Sequence, residues 1–310
     1  MFMKQTLVLG STCLDVMLKV PQFPASGDDI NLESTHRSLG GCAYNVSDIL
    51  TKFQIPHTLC SPIGEGFYSS LVEQMLLDKG SRPFAQVHDM DNGACYCIVD
   101  AAGHQTFLAK HGAEYRFNAG WFSSIDWDNV DSIYCCGLEI EDMDGEDVVS
   151  FLEEKKELFD SAGRDLTIFF APGARIMHIP QLLIQRIFAL HPILHLNDRE
   201  ARLFTGTESI EECARILHST TCNSLVITMA AKGAYCFDHQ ARKGFPVPSK
   251  KVEAVDSTGA GDAHCGAVIA NLKLGLGLVD SVLRANRLSA LLVTVPGANL
   301  PDSMFSALHP

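Results

Sequence analysis

Seven residues near the C-terminus, Asp256-Ser257-Thr258-Gly259-Ala260-Gly261-Asp262, have types and spacing that suit group transfer to a hydroxyl. They stand between a strand-like run, residues 252–255, and a helical run of small residues, 263–274. The start of a helix leaves backbone N–H groups unpaired and carries the positive end of the dipole, so it attracts anions. Gly259 and Gly261, with Ala260 between them, let the chain turn tightly and approach a ligand oxygen. Asp262 falls in the first helical turn, where its carboxylate would stand beside that anion. A base next to an anion cradle is the least equipment that phosphoryl transfer onto an alcohol requires. The plainer reading is a strand-to-helix turn with a dipole-stabilising acid, and spacing alone does not separate the two.

Those residues need a scaffold, and the chain supplies strands alternating with helices. Residues 6–11 read as a buried first strand. After Asp131 the alternation is regular, with strands at 132–136, 166–170, 193–196 and 225–228. Helical spacing occupies 41–53, 67–79, 146–161, 179–189, 200–205, 210–218, 278–292 and 303–308. Such alternation implies right-handed crossovers and a parallel sheet covered on both faces. Ligands of these sheets bind at the carboxyl ends of the strands. Asp15, Glu139, Asn197 and Thr228 each end or follow a predicted strand there, and Asp262 follows the last one. Half-polar alternation at 13–37, and in a hairpin of 94–100 and 104–110 joined by 101–103, marks a second, small sheet lying over the main core. Its exposed edge invites dimerisation.

Composition narrows the classes. At 310 residues, 46% hydrophobic and 20% charged, the chain has the makings of one large α/β domain. A net charge of −13 argues against nucleic acid or an anionic membrane surface as partner, while leaving room for a local phosphate cradle. No run approaches the ~18 apolar residues of a membrane span, and the N-terminus shows no signal-peptide pattern, so a cytoplasmic location is expected. The 11 scattered cysteines fit free thiols, and without a CxxC pair structural zinc is not expected. Gly10 is followed by Ser11-Thr12-Cys13-Leu14-Asp15, which breaks a dinucleotide fingerprint, and no P-loop sequence occurs.

With these residues in hand, the chain resembles the ribokinase-like (phosphofructokinase-B) family of carbohydrate kinases. Gly40-Gly41-Cys42-Ala43-Tyr44-Asn45 matches the family's Gly-Gly-x-x-x-Asn, and the 256–262 heptapeptide matches its Asp-x-x-Gly-Ala-Gly-Asp. Asn197-Asp198-Arg199-Glu200 matches Asn-x-x-Glu. The resemblance implies one Rossmann-like three-layer α/β/α domain over 1–310, with a mainly parallel central sheet and a discontinuous β lid from about 13–38 and 94–111. It implies ATP and Mg²⁺, and K⁺ as a further cation at Asp256. Asp262 is then the general base, and Gly259, Ala260 and Gly261 the anion hole. Asp15, Gly40, Gly41, Asn45 and Glu139 bind substrate hydroxyls. Asn197 and Glu200 position Mg²⁺ and phosphate through water. Thr228, Lys232 and Gly233 lie on the nucleotide side, and Asn286 against adenine. The acceptor is a sugar or a nucleoside, and a homodimer forms through the lid. Asp262, at the positive end of a helix, is expected to stay ionised and accept its proton late.

The match has departures. The family's Asp-Pro-basic segment reads Ala171-Pro172-Gly173-Ala174-Arg175 here, so Arg175 either reaches phosphate or is a solvated loop residue. His264 either touches substrate or packs beneath the site, and Tyr96, Cys97 and Phe107 line either the pocket or a core. The leading reading is an ATP-dependent sugar kinase. A nucleoside kinase and a non-catalytic sugar- or nucleotide-binding regulator are the alternatives.

Overall fold

The computed structural model describes residues 3–308 except 103, 142 and 143; Gly103 of the expected hairpin turn lies outside the described residues. Along the chain, β1 (Gln5–Leu9) leads to β2 (Cys13–Lys19), β3 (Ser34–Gly40) and helix α1 (Cys42–Lys52). Next come β4 (His57–Cys60), β5 (Pro62–Ile63), α2 (Phe67–Asp78), β6 (Ala85–Gln86), β7 (Ala94–Val99) and β8 (Gln105–Lys110). Strand and helix then alternate through β9 (Val130–Cys136), α3 (Leu138–Glu141), α4 (Gly145–Ser161), β10 (Thr167–Ala171) and α5 (Gln181–Ala189). The alternation continues through β11 (Ile193–Asn197), α6 (Asp198–Thr205), α7 (Ile210–Thr221) and β12 (Leu225–Thr228). Two strands, β13 (Ala234–Asp238) and β14 (Lys243–Val247), precede helices α8 (Ala260–Lys273), α9 (Leu278–Leu292) and α10 (Asp302–Leu308).

Strands that are apolar at every position must be covered on both sides. In β9, Ile133 and Cys135 pack with α4 and α5 on one face, while Tyr134 and Cys136 pack with α1 and α8 on the other. The eight-stranded sheet runs β14-β13-β12-β11-β10-β9-β1-β4, parallel from β12 to β4 and antiparallel at β13 and β14. The expected three-layer α/β/α arrangement is therefore present, with an antiparallel hairpin at one edge.

A separate four-stranded sheet has the order β3-β2-β7-β8. Its β2–β7 pair is parallel and its outer pairs antiparallel. Leu14, Val16, Leu39 and Ala94 on one face pack against Val72 and Leu76 of α2. The register leaves Asp15, Met17, Cys95, Cys97, Phe107 and Ala109 sharing the opposite face.

Two expectations need correction. Residues 252–255 form no strand, because their backbone has no strand partner: Val255 is 57% exposed and its N–H bonds the Val293 carbonyl (2.7 Å) at the end of α9. Asp15 lies within β2 of the small sheet rather than after a main-sheet strand. One packing detail then sets the site. A Cβ on Gly266 would lie 3.0 Å from Ile49 Cβ and 3.1 Å from the Val46 carbonyl, so this glycine lets α8 close on α1. That approach brings Asn45 of α1 beside Asp262 of α8.

Candidate active site

Helix α8 begins at Gly259, which is left-handed (φ 68°) and so close to Ala298 that a Cβ would stand 2.5 Å from that residue's Cβ. The first bond of the ladder runs from Ala263 N–H to the Gly259 carbonyl (2.9 Å), so the N–H groups of Gly261 and Asp262 precede it. Ala260 differs from the expected trio of donors: its N–H already donates to the Ser257 carbonyl (3.2 Å) and closes the turn. A Cβ on Gly261 would meet nothing within 4 Å, so the turn opens onto free space there.

Beside that space, Asn45 Nδ2 donates to Asp262 Oδ2 (2.9 Å). The Asn45 carbonyl oxygen is buried without a partner, an acceptor left over for a ligand hydroxyl. Burial pushes the Asp262 carboxyl up to about 6, even though the Asn45 amide and the Cys42 thiol both bond it and pull it down. The helix dipole therefore does not set the value, because loss of water outweighs it, but the carboxyl is still mostly ionised at neutral pH. Asp262 nonetheless keeps part of its surface open to solvent.

Other acids crowd around it. Burial lifts Asp15 to about 6, with the charges of Asp262 and Asp256 adding and a bond from the Cys13 thiol opposing. Gly40 makes room for Asp15, since a Cβ there would lie 2.0 Å from its carboxylate. Gly41, at φ 99°, passes so near the Ser11 carbonyl that a Cβ would stand 2.4 Å from it. Glu139 accepts the Ser11 N–H on Oε1 (2.9 Å), while its Oε2 is buried without a partner, and burial pushes it up to about 7.

Asn197 and Glu200 turn on each other. Glu200 N–H donates to Asn197 Oδ1 (2.8 Å), Asn197 N–H to Glu200 Oε2 (3.0 Å), and Asn197 Nδ2 to Glu200 Oε1 (2.7 Å), a capping box at the start of α6. Burial raises Glu200, and the charge of Asp262 adds to this. Among the described residues no three His, Cys, Asp or Glu side chains converge as a metal cage. The donor set instead suits Mg²⁺ held by phosphates and water with one carboxylate at its edge, and the crowded, raised acids are what such a cation would relieve.

Asp256 is bonded within the protein. Its Oδ1 accepts Gln105 Nε2 (2.8 Å) and Thr258 N–H (2.8 Å), and its Oδ2 accepts Gly297 N–H (2.7 Å). Burial would raise it, but these donors outweigh burial and hold it below the usual carboxylate value.

Of the residues expected to border the nucleotide, Thr228 ends β12 and Lys232 is exposed in the following turn. Gly233 (φ 92°) closes that turn so near β14 that a Cβ would lie 2.2 Å from the Val247 carbonyl. Asn286 departs from its expected adenine contact, because its amide is consumed inside the protein. Its Nδ2 donates to the Val247 and Pro248 carbonyls (3.0 and 3.3 Å), which leaves Oδ1 to accept His264 Nε2–H (3.0 Å). The proton on Nε2 makes His264 Nδ1 an acceptor, and His195 Nε2–H donates to it (2.8 Å). Burial holds both imidazoles neutral, pushing His264 down to about 4. His264 thus packs beneath the site. Arg175 pairs with Glu141 instead of reaching into the site. Cys97 and Phe107 share the Asp15 face, whereas Tyr96 turns to α2 and bonds the Tyr68 hydroxyl (2.6 Å).

Three residues escape a motif-based reading. His195 left one signal, a polar side chain inside the apolar run Ile193-Leu194-His195-Leu196. Cys42 lay within the matched glycine motif as a variable position. Gln105 left no local signal, for its partner is 151 positions away.

Comparison with known proteins identifies the family and the fold. The profile of the pfkB family carbohydrate kinases matches residues 3–303. An uncharacterized sugar kinase of Escherichia coli, YegV, is 29% identical over 94% of this chain and 88% of its own length. A ribokinase from Thermotoga maritima has the same fold (TM-score 0.80, 21% identity, 98% of this chain and 99% of that one). So does a nucleoside kinase from Burkholderia thailandensis in complex with inosine (TM-score 0.75, 21% identity, 97% and 95%). The profile match over nearly the entire chain, on this fold, places the chain in the pfkB family of carbohydrate kinases, phosphotransferases that move a phosphoryl group from ATP to an alcohol.

Proposed function

We propose that the chain transfers the γ-phosphoryl group of ATP to a hydroxyl of a small sugar, with Asp262 as general base. The observation that carries this reading is the Asn45–Asp262 hydrogen bond (2.9 Å) beside the unobstructed turn at Gly261. The acceptor oxygen bonds phosphorus, the bridging P–O bond to ADP breaks, and the hydroxyl proton passes to Asp262. The Gly261 and Asp262 N–H groups, with the Gly259 turn, hold the phosphoryl oxygens as charge shifts. Asp15, Asn45 Oδ1 and Glu139 hold the acceptor hydroxyls, in room provided by Gly40 and Gly41. Thr228, Lys232 and Gly233 border the nucleotide. Mg²⁺ bound with ATP would neutralise phosphate charge, and Glu200, positioned by Asn197, is the carboxylate that would hold its waters. Asp256, satisfied by three N–H donors, gives no support to a monovalent cation.

One observation favours a nucleoside acceptor as second reading. Phe107 is 50% exposed on the same sheet face as Asp15, where a base could stack. The small sheet then acts as a lid. Its outer strand β8, exposed from Thr106 to Lys110, is the edge through which a second copy would pair. Free thiols at all eleven cysteines suit the cytoplasm, and among the described residues no helix is long and apolar enough to cross a membrane.

The test is a panel of sugars and nucleosides assayed for ADP release with Mg·ATP, beside Asp262→Asn. Turnover on a sugar, cut ~10²–10⁴-fold by the substitution, is expected. Turnover that survives it removes Asp262 as base, and ligand binding without turnover across the panel points to a regulator.

A further inference from the structure

Asp256 is buried, and three separate parts of the molecule converge on it. Thr258 N–H belongs to the turn that leads into Gly259, and Gly297 N–H to the loop joining α9 to α10. The third donor, Gln105 Nε2, comes from the first residue of β8 in the small sheet. The loop and the turn also touch directly, since Gly259 abuts Ala298 and Asp256 N–H donates to the Val293 carbonyl (3.1 Å). Of the side-chain bonds described here, the one from Gln105 ties the small sheet to the turn that carries the anion donors.

We propose that Gln105 is a positioning residue, a latch by which closure of the small sheet sets the anion-binding turn. A neutral amide suits this task. It gives an ionised acceptor an N–H without burying a second charge, so the contact forms and breaks without leaving an unpaired cation. Hydrogen bonds to charged groups are strong enough to bias an open–closed equilibrium by about 10–100-fold. Asp15 and Cys97, both on the small sheet, are titratable groups whose charges interact with Asp256. Neither replaces the donor, because a carboxylate and a thiol with a raised pKa offer no comparable N–H.

The inference rests on the Gly259–Asp262 turn being the transfer site, but its first test does not. Hydrogen exchange of the ligand-free full chain is compared among wild type, Gln105→Leu and Gln105→Glu. Gln105→Leu is expected to lower protection about 10-fold both in residues 105–110 and in 256–262. Gln105→Glu is expected to resemble Gln105→Leu at pH 8, where two carboxylates repel. At pH 5 a protonated glutamic acid donates as glutamine does, and protection returns. Loss confined to residues 105–110, or a glutamate variant indifferent to pH, overturns the latch. Titration calorimetry adds the ligand side: Gln105→Leu should weaken Mg·AMP-PNP about 10-fold and leave Mg·ADP unchanged, and wild-type affinity for both overturns the positioning role. Coupled exchange together with full activity of Asp262→Asn would keep the latch and discard the base.

Discussion

At the scale of single residues, the chemistry turns on which force sets the charge of Asp262. Burial lifts it to about 6, while the Asn45 and Cys42 hydrogen bonds favour the ionised form. A base must be deprotonated to act, so kcat/KM should be flat above neutrality and fall tenfold per unit below pH about 6. Removing the Asn45 donor strips one of the two bonds that stabilise the anion. Asn45→Ala should therefore move that limb upward by about one unit, whatever it does to the plateau. Asn45 also holds substrate in this reading, so the position of the limb is the informative quantity. A limb that stays put in Asn45→Ala would mean that the amide does not orient the base. The heptapeptide made Asp262 legible as a candidate base. Its environment was not legible, because the neighbours that bury it come from α1, 217 positions away.

At the scale of elements, the two glycines of the turn divide the labour. Gly259 is left-handed and abuts Ala298, whereas Gly261 faces open space. Gly259→Ala should lower stability by roughly 1–3 kcal/mol through backbone strain and overlap. Gly261→Ala should leave the melting temperature near wild type and lower kcat about 10²-fold or more, because its methyl enters the space given to the transferring group. Comparable thermal loss in both, with rates retained, would refute this division. The same contrast explains what a pattern reader finds and misses among the elements. Periodicity located α1, α4 and α9 because their apolar stripes face one sheet, while α8, buried from Ala263 to Asn271, showed only as a run of small residues. It failed at β14, Lys243-Gly244-Phe245-Pro246-Val247, where glycine and proline hide a strand that the sheet edge tolerates. It wrongly read 252–255 as a strand because Val252 and Val255 look apolar and nothing local reveals a missing partner. The His195–His264–Asn286 chain was equally hidden: β11, α8 and α9 each contribute one member, and only packing assembles them.

At the scale of the whole molecule, the proposed function asks a chain of net charge −13 to bind a polyanionic nucleotide, and two features would allow it: N–H donors gathered at one helix start, and nearby acids whose burial raises their pKa. That arrangement has a cost in stability, and Glu139 is where it should be largest. The carboxyl lies between the end of β9 and the Ser11 backbone, with one oxygen unpartnered. Its value rises from 4.5 unfolded to about 7 folded. Below pH 4.5 the group is neutral in both states and contributes no penalty. As pH climbs toward 7 the unfolded chain ionises while the folded one resists, so stability is lost and the full cost is present above that value. Gln is neutral at every pH and keeps an acceptor for the Ser11 N–H. Glu139→Gln should therefore match wild type in urea unfolding at pH 4 and exceed it at pH 8, by on the order of 3 kcal/mol. Its affinity for the acceptor should fall if Glu139 binds a hydroxyl. A variant no more stable than wild type at pH 8 would show that the carboxylate finds compensation within the folded protein, and the account of a strained acidic site would fail with it.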